Sequence, residues 1–143
     1  YNDDLQNDLW TINSGASYGF IVPGTNTYMT VGFSAGHDSG LGYKITQNNG
    51  NLCGGPCPYD PDDRYNHYWL FKVTDLEKVK NGEMAPHDVR PYKYGRLDTP
   101  NAEPILGASY DPASKRLYVS LKGGDRLNRY SRPPLFLVYE ISL

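Results

Sequence analysis

Apolar residues in this chain alternate with polar ones or gather in short runs, and the runs are bounded by Gly, Pro, Asn or Asp. That is the pattern of strands and turns, because successive side chains of a strand face opposite ways and the bounding residues supply the dihedrals that reverse the chain. Runs rich in Tyr, Val, Ile, Leu and Phe predict strands over residues 18–22, 27–33, 41–46, 68–73, 89–97, 105–110, 116–122 and 135–141. One segment breaks the pattern. Thr74-Asp-Leu-Glu77 has the form of a capping box and Gly82 that of a stop, so residues 75–80 are predicted to form a short connecting helix.

Pro23-Gly-Thr-Asn26 and Asp111-Pro-Ala-Ser-Lys115 are turn clusters of hairpin length between predicted strands. The two hairpins resemble one another. Residues 19–31 lie over 107–119 at a constant offset of 88, with Gly19 on Gly107 and Val31 on Val119, and residues 68–76 then lie over 135–143 as a third strand of each unit. Within that third strand Trp69 and Phe71 face one way and Tyr68 and Leu70 the other, the composition of a strand buried on both faces. Tyr92 and Tyr94 alternate with Lys93 and Arg96, as on a half-wet outer strand. The expected plan is a single all-β domain, 1–143, of two repeated units at about 15–97 and 105–143.

An inner strand, a tight turn, a second strand, a long excursion and a third strand is the plan of a propeller blade. The hairpin that runs from Gly107 through Asp111-Pro112 to Arg116-Leu-Tyr-Val-Ser120, with Val138-Tyr-Glu-Ile141 after it, is similar to a generic blade. Gly36-His-Asp-Ser-Gly-Leu-Gly-Tyr-Lys44 and Cys53-Gly-Gly-Pro-Cys57 resemble extracellular bacterial β-propeller-like domains of unassigned function. The resemblance implies antiparallel blade-like sheets, two or so blades, and a secreted or extracellular location. A closed propeller needs about four blades or more, so it also implies a fragment of a longer chain or copies that complete a ring between them.

Composition narrows the partners. Fifteen Gly and 11 Pro in 143 residues fit a chain divided by turns, and 13 Tyr beside 4 Phe and 2 Trp fit sheets with polar handles. A net charge of −2 gives no general attraction to nucleic acid, and no apolar run reaches the ~18 residues of a membrane-spanning helix. The first residue is Tyr1, which fits either a processed protein or a piece of a longer one. Cys53 and Cys57 sit in a tight Gly/Pro loop that favours a local disulfide and with it an oxidising compartment. Reduced thiols, or a metal site that borrows His67, are the alternatives.

Candidate chemistry gathers in two excursions. The stretch from Gly36 to His67 holds His37, Tyr43, Lys44, the cysteines and Asp60-Pro-Asp-Asp63. In a lyase acting on uronic acid polymers, His37 or His67 would serve as base, Tyr43 as acid and Lys44 or an Arg as the group that neutralises the carboxylate. Asp60, Asp62 and Asp63 place hard oxygens close together, as a calcium loop does, although EF-hand spacing is absent; no other cofactor is expected. A serine hydrolase is set aside because Gly36-His-Asp-Ser-Gly40 has its glycines at the wrong spacing for a nucleophile elbow. The second excursion, with Lys122, Arg126, Arg129 and Arg132, forms a basic patch with Tyr130 that suits a carboxylated or sulfated polymer.

The leading expectation is therefore a secreted module that binds an extracellular ligand, an anionic carbohydrate, through residues 36–67 and 122–132. A polysaccharide-degrading enzyme of the same architecture and a self-assembling structural module are the rivals.

Overall fold

The computed structural model describes residues 9–143. Two antiparallel sheets, of four and three strands, form its framework. The first runs β1 (Gly15–Val22), β2 (Thr27–Ala35), β3 (Arg64–Lys72) and β4 (Lys93–Arg96), in that spatial order. The second runs β5 (Ile105–Asp111), β6 (Arg116–Leu121) and β7 (Leu135–Glu140), also in chain order. The chain is thus mostly β, and among the described residues its sheets stack face to face without closing a ring.

One core joins them. Phe20, Val22, Met29, Val31 and Leu70 of the first sheet meet Ile105, Leu117, Val119 and Leu121 of the second, with Phe20 stacked on Tyr110 at 4.1 Å between ring centroids. β3 is buried on both faces, as its composition predicts: Leu70 enters the core, while Trp69, 0% exposed, lies under Trp10 and donates its indole N–H to the Leu9 carbonyl at 2.7 Å.

The two hairpins correspond at a different offset from the one their sequences favour. The unpaired bulge residues are Ser17 and Leu106, the strands entering the turns end at Val22 and Asp111, and the return strands begin at Thr27 and Arg116. Each pair is 89 positions apart, one more than the offset that aligns Val31 with Val119. A shift of one residue exchanges the faces of a strand. The sequence alignment matches inward residues to inward residues, whereas the sheets present opposite faces to the core they share.

Three other expectations change. Residues 41–46 form no strand: Gly40 and Lys44 have φ of 82° and 56°, and the segment is tied by single bonds, Gly42 N–H to Pro58 and Ile45 N–H to Cys57. The strand over 89–97 shortens to Lys93–Arg96, because Pro86–Asp88 forms a short 3-10 turn and Pro91 has no N–H to donate. The helix α1 spans Val73–Lys80 and lacks the capping box; Asn26, from the β1–β2 turn, accepts the Thr74 N–H at 3.0 Å instead and donates to the Thr74 hydroxyl. Its C-terminus ends as expected, at Gly82 with φ 76°.

Candidate functional site

Up-and-down strand order places the short turns 23–26 and 112–115 at one end of the stack and the long connections 36–63, 97–104 and 122–134 at the other. Every candidate side chain named from the sequence lies in or beside those long connections. Loops on a rigid sheet are where binding groups collect.

The first connection is organised by carboxylates. Asp63 Oδ2 accepts the Asp38 and Ser39 N–H groups and the Ser39 hydroxyl at 2.7–2.9 Å, and Asp60 Oδ1 accepts the Asp62 N–H at 2.9 Å. Asp60 and Asp63 are buried in these roles, which are those of turn-forming Asp. Asp62 accepts from the Asn48 amide. Among the described residues no three His, Cys, Asp or Glu side chains converge to hold a metal ion. Asp63 Oδ1 is buried without a hydrogen-bond partner. Cys53 and Cys57 form a disulfide, with Cα atoms 6.1 Å apart.

His37 and His67 come together, whereas Tyr43 and Lys44 are joined to each other. Tyr43 is 75% exposed, with Lys44 Nζ 5.4 Å from its ring centroid. His37 follows β2 and its ring lies 5.7 Å from that of His67, the planes 9° from parallel. Its Nε2 shares a 2.5 Å hydrogen bond with Ser34 Oγ, which is bonded in turn to Ser14 Oγ at 2.6 Å.

Two residues outside the candidate sites read from the sequence complete this cluster. Tyr65 precedes His67 by two positions on β3, so both project from the outer face of the first sheet. Arg96 pairs with His67 across the β3–β4 ladder. Its guanidinium lies 4.0 Å from the Tyr65 ring centroid and bridges to Asp38 at 3.0 Å. The register of β4 on β3, which puts Tyr94 opposite Trp69, brings Arg96 beside the histidine.

Burial sets the electrostatics. Desolvation, with the Asp63 carboxylate adding to it, pushes the Tyr65 hydroxyl up to about 12. Desolvation first and His37 second hold His67 down at about 4, so its ring is neutral at pH 7; its Nδ1–H donates to the Tyr68 carbonyl at 3.0 Å.

Beside the cluster lies an open cleft of ≈ 450 Å³ lined by Arg64, Tyr65, Arg96, Asp98, Thr99 and Asn101, among others. Glu103 links it to the basic patch, meeting Arg64 at 3.9 Å and Arg126 at 2.5 Å, and Asn101 donates to the Gly124 carbonyl. Lys122, Arg129 and Arg132 are exposed, and the Arg129 guanidinium lies 5.7 Å from the Tyr130 ring. Arg64, Arg96 and Arg126 thus border one end of the molecule, with Arg129 and Arg132 beyond. No helix is long and apolar enough to cross a membrane among the described residues. Comparison with protein-family models, with curated proteins and with solved structures finds no match to this chain, so the chemistry of the site is read from its geometry.

Proposed function

We propose that the chain is an extracellular binding module of propeller-like stacking whose long-loop end takes an anionic carbohydrate. The observation that carries this reading is the cleft in which Arg64 and Arg96 flank the Tyr65 ring. A guanidinium offers a planar fork to carboxylate or sulfate, and the Thr99 and Asn101 side chains add neutral polar groups. The second sheet's basic loop extends the same charge along the chain of a polymer. Asp38 and Glu103 keep the guanidiniums ordered, and a denser anion competes with them for the same donors.

The experiment is retention on immobilised uronate and sulfated polysaccharides as ionic strength rises. Exposed pairs are screened as the Debye length shrinks to ~3 Å near 1 M salt, so retention should fall steeply. Arg96→Ala and Arg126→Ala should weaken it about tenfold or less each, the range of one exposed charged contact. Retention that ignores salt, or that survives both substitutions together, overturns the reading.

Contact between His37, Tyr65 and Arg96 favours one rival, elimination from a uronate. Arg96 would neutralise the carboxylate, His37 would take the proton beside it, and Tyr65 would protonate the leaving oxygen. A tyrosine held at about 12 keeps its proton poorly matched to that task at neutral pH, and His67 is 3% exposed, out of reach of a sugar. Ultraviolet absorbance of an unsaturated product, lost in His37→Ala, would place the enzyme above the binding module.

A further inference from the structure

The free face of the second sheet carries an exposed apolar strip beside the charged row of Asp111, Arg116 and Glu140. On β5, β6 and β7 the residues pointing away from the first sheet include Tyr118, Phe136 and Val138, which are 40%, 71% and 56% exposed, and the bulge adds Leu106 at 61%. Cross-strand pairing makes them contiguous: Ser109, Tyr118 and Val138 form one row, and Gly107, Ser120 and Phe136 the next. In the register set by bulge and turn, Tyr118 corresponds to Met29, Phe136 to Tyr68 and Val138 to Leu70. Those three first-sheet residues sit in or against the core, covered by the opposite face of the second sheet. The second sheet therefore carries, on its free side, an apolar strip at part of the surface that the first sheet uses to stack, with Ser109, Asp111 and Ser120 standing where the first sheet has Phe20, Val22 and Val31.

The surface that would continue the stack is the outer face of the first sheet. There Trp10, Tyr28, Phe71, Leu76, Val79 and Val89 line an open apolar groove of ≈ 420 Å³ between the sheet and α1, and Ile21 is 56% exposed on the same face. Ile21, Tyr28 and Phe71 correspond in register to Tyr110, Leu117 and Tyr139, the residues of the second sheet that cover the first. The molecule thus carries, one on each outer side, exposed apolar residues at positions that correspond to the two halves of its own sheet-stacking junction.

We propose that the free face of the second sheet docks on the groove of the first sheet in a second copy of this chain, head to tail. Such a junction joins different surfaces, so it either closes a ring of copies or runs on. An apolar strip of this kind is where a soluble surface meets a partner. The inference stands apart from the carbohydrate reading, whose residues lie at the loop end.

Sedimentation of the full chain over a dilution series tests it. The mass should be at least twice the 16.1 kDa of one chain when concentrated and should fall towards it on dilution. Phe136→Asp, on the free face, and Val79→Lys, in the groove, should each give single chains throughout, with unchanged far-ultraviolet circular dichroism and unchanged polysaccharide retention; Leu76→Lys replaces Val79→Lys if the latter unfolds. An equal mixture of the two variants should recover a species of two chains and none larger, because one intact junction remains per pair. A wild-type chain that stays single, or an assembly that survives either variant, or a mixture that stays single, overturns the proposal.

Discussion

The ring of His37 lies over that of His67 with the planes 9° from parallel and the centroids 5.7 Å apart, so a charge on His37 is felt by His67. Burial and this neighbour together hold His67 at about 4 in the folded chain, against about 6.5 for an unperturbed histidine. Between those values the unfolded chain binds the proton that the folded one refuses. Stability should be unaffected by this group above pH 6.5 and fall as pH drops from 6.5 to 4, by at most about 3.5 kcal/mol at ~1.4 kcal/mol per unit. Urea midpoints at intervals across that window should show the decline, and His67→Gln should flatten it. A wild-type profile that is level from pH 6.5 to 4 would refute the assignment.

Asn26 holds the start of α1 from 48 residues away: its backbone carbonyl accepts the Val73 N–H at 3.1 Å and its side chain bonds Thr74 in both directions. Loss of a side-chain cap costs about 1 kcal/mol, so Asn26→Ala should lower stability by that amount. Thr74→Ala should cost less, because its N–H keeps the Asn26 acceptor. Equal losses in both variants would mean that the hydroxyl, and not the amide, carries the cap.

That cap shows where sequence reasoning stops. The hairpins are legible because turn clusters and alternation are local, and Gly82 is legible because a helix stop is local too. Asn26 and Thr74 are distant, so the local capping box was the only partner in view. Leu41 to Thr46 reads as a strand by composition, yet no second strand reaches it, and Gly40 and Lys44 take positive φ. Matching apolar positions hid the one-residue difference between the hairpins, because burial alone does not say which face of a sheet is buried. The site divides the same way. His37 and His67 were visible as reactive types in an excursion; Tyr65 and Arg96 became partners only through the pairing of β3 with β4.

The disulfide closes a ring of five residues, small enough that its effect should stay local. Loop-closure entropy for so short a ring is about 2 kcal/mol, an upper value when the reduced loop keeps other ties. The Ile45 N–H to Cys57 bond and the Thr46–Leu52 bridge are such ties. Reduction, or the Cys53→Ser/Cys57→Ser pair, should speed proteolysis within residues 41–59 while the urea midpoint moves by less than the full entropy. A collapse of both sheets on reduction, seen as loss of the near-ultraviolet signal of Trp69, would show that the loop supports more than itself.

Gly32 is the residue on which β1, β2 and the histidine cluster all depend. A Cβ there would lie 1.9 Å from the Gly15 carbonyl oxygen and 2.9 Å from Ala16 Cα, both backbone atoms that no rotamer change can move. Gly32 also pairs with His67 on the outer face, one step along β2 from the rows that carry Ser34 and Thr30. Gly32→Ala must therefore push β1 aside, and with it Ser14, whose hydroxyl holds Ser34 and through it His37. The expected cost is about 3 kcal/mol, at the upper end of overpacking. Gly15→Ala is the control: nothing lies within 4 Å of its added Cβ and its φ is not positive, so stability should change by about 1 kcal/mol or less, towards stabilisation. Gly32→Ala should also lose polysaccharide retention as the His37–Tyr65–Arg96 contacts loosen, and Gly15→Ala should keep it. Equal stability in the two variants would mean that β1 does not lie against β2 at this point.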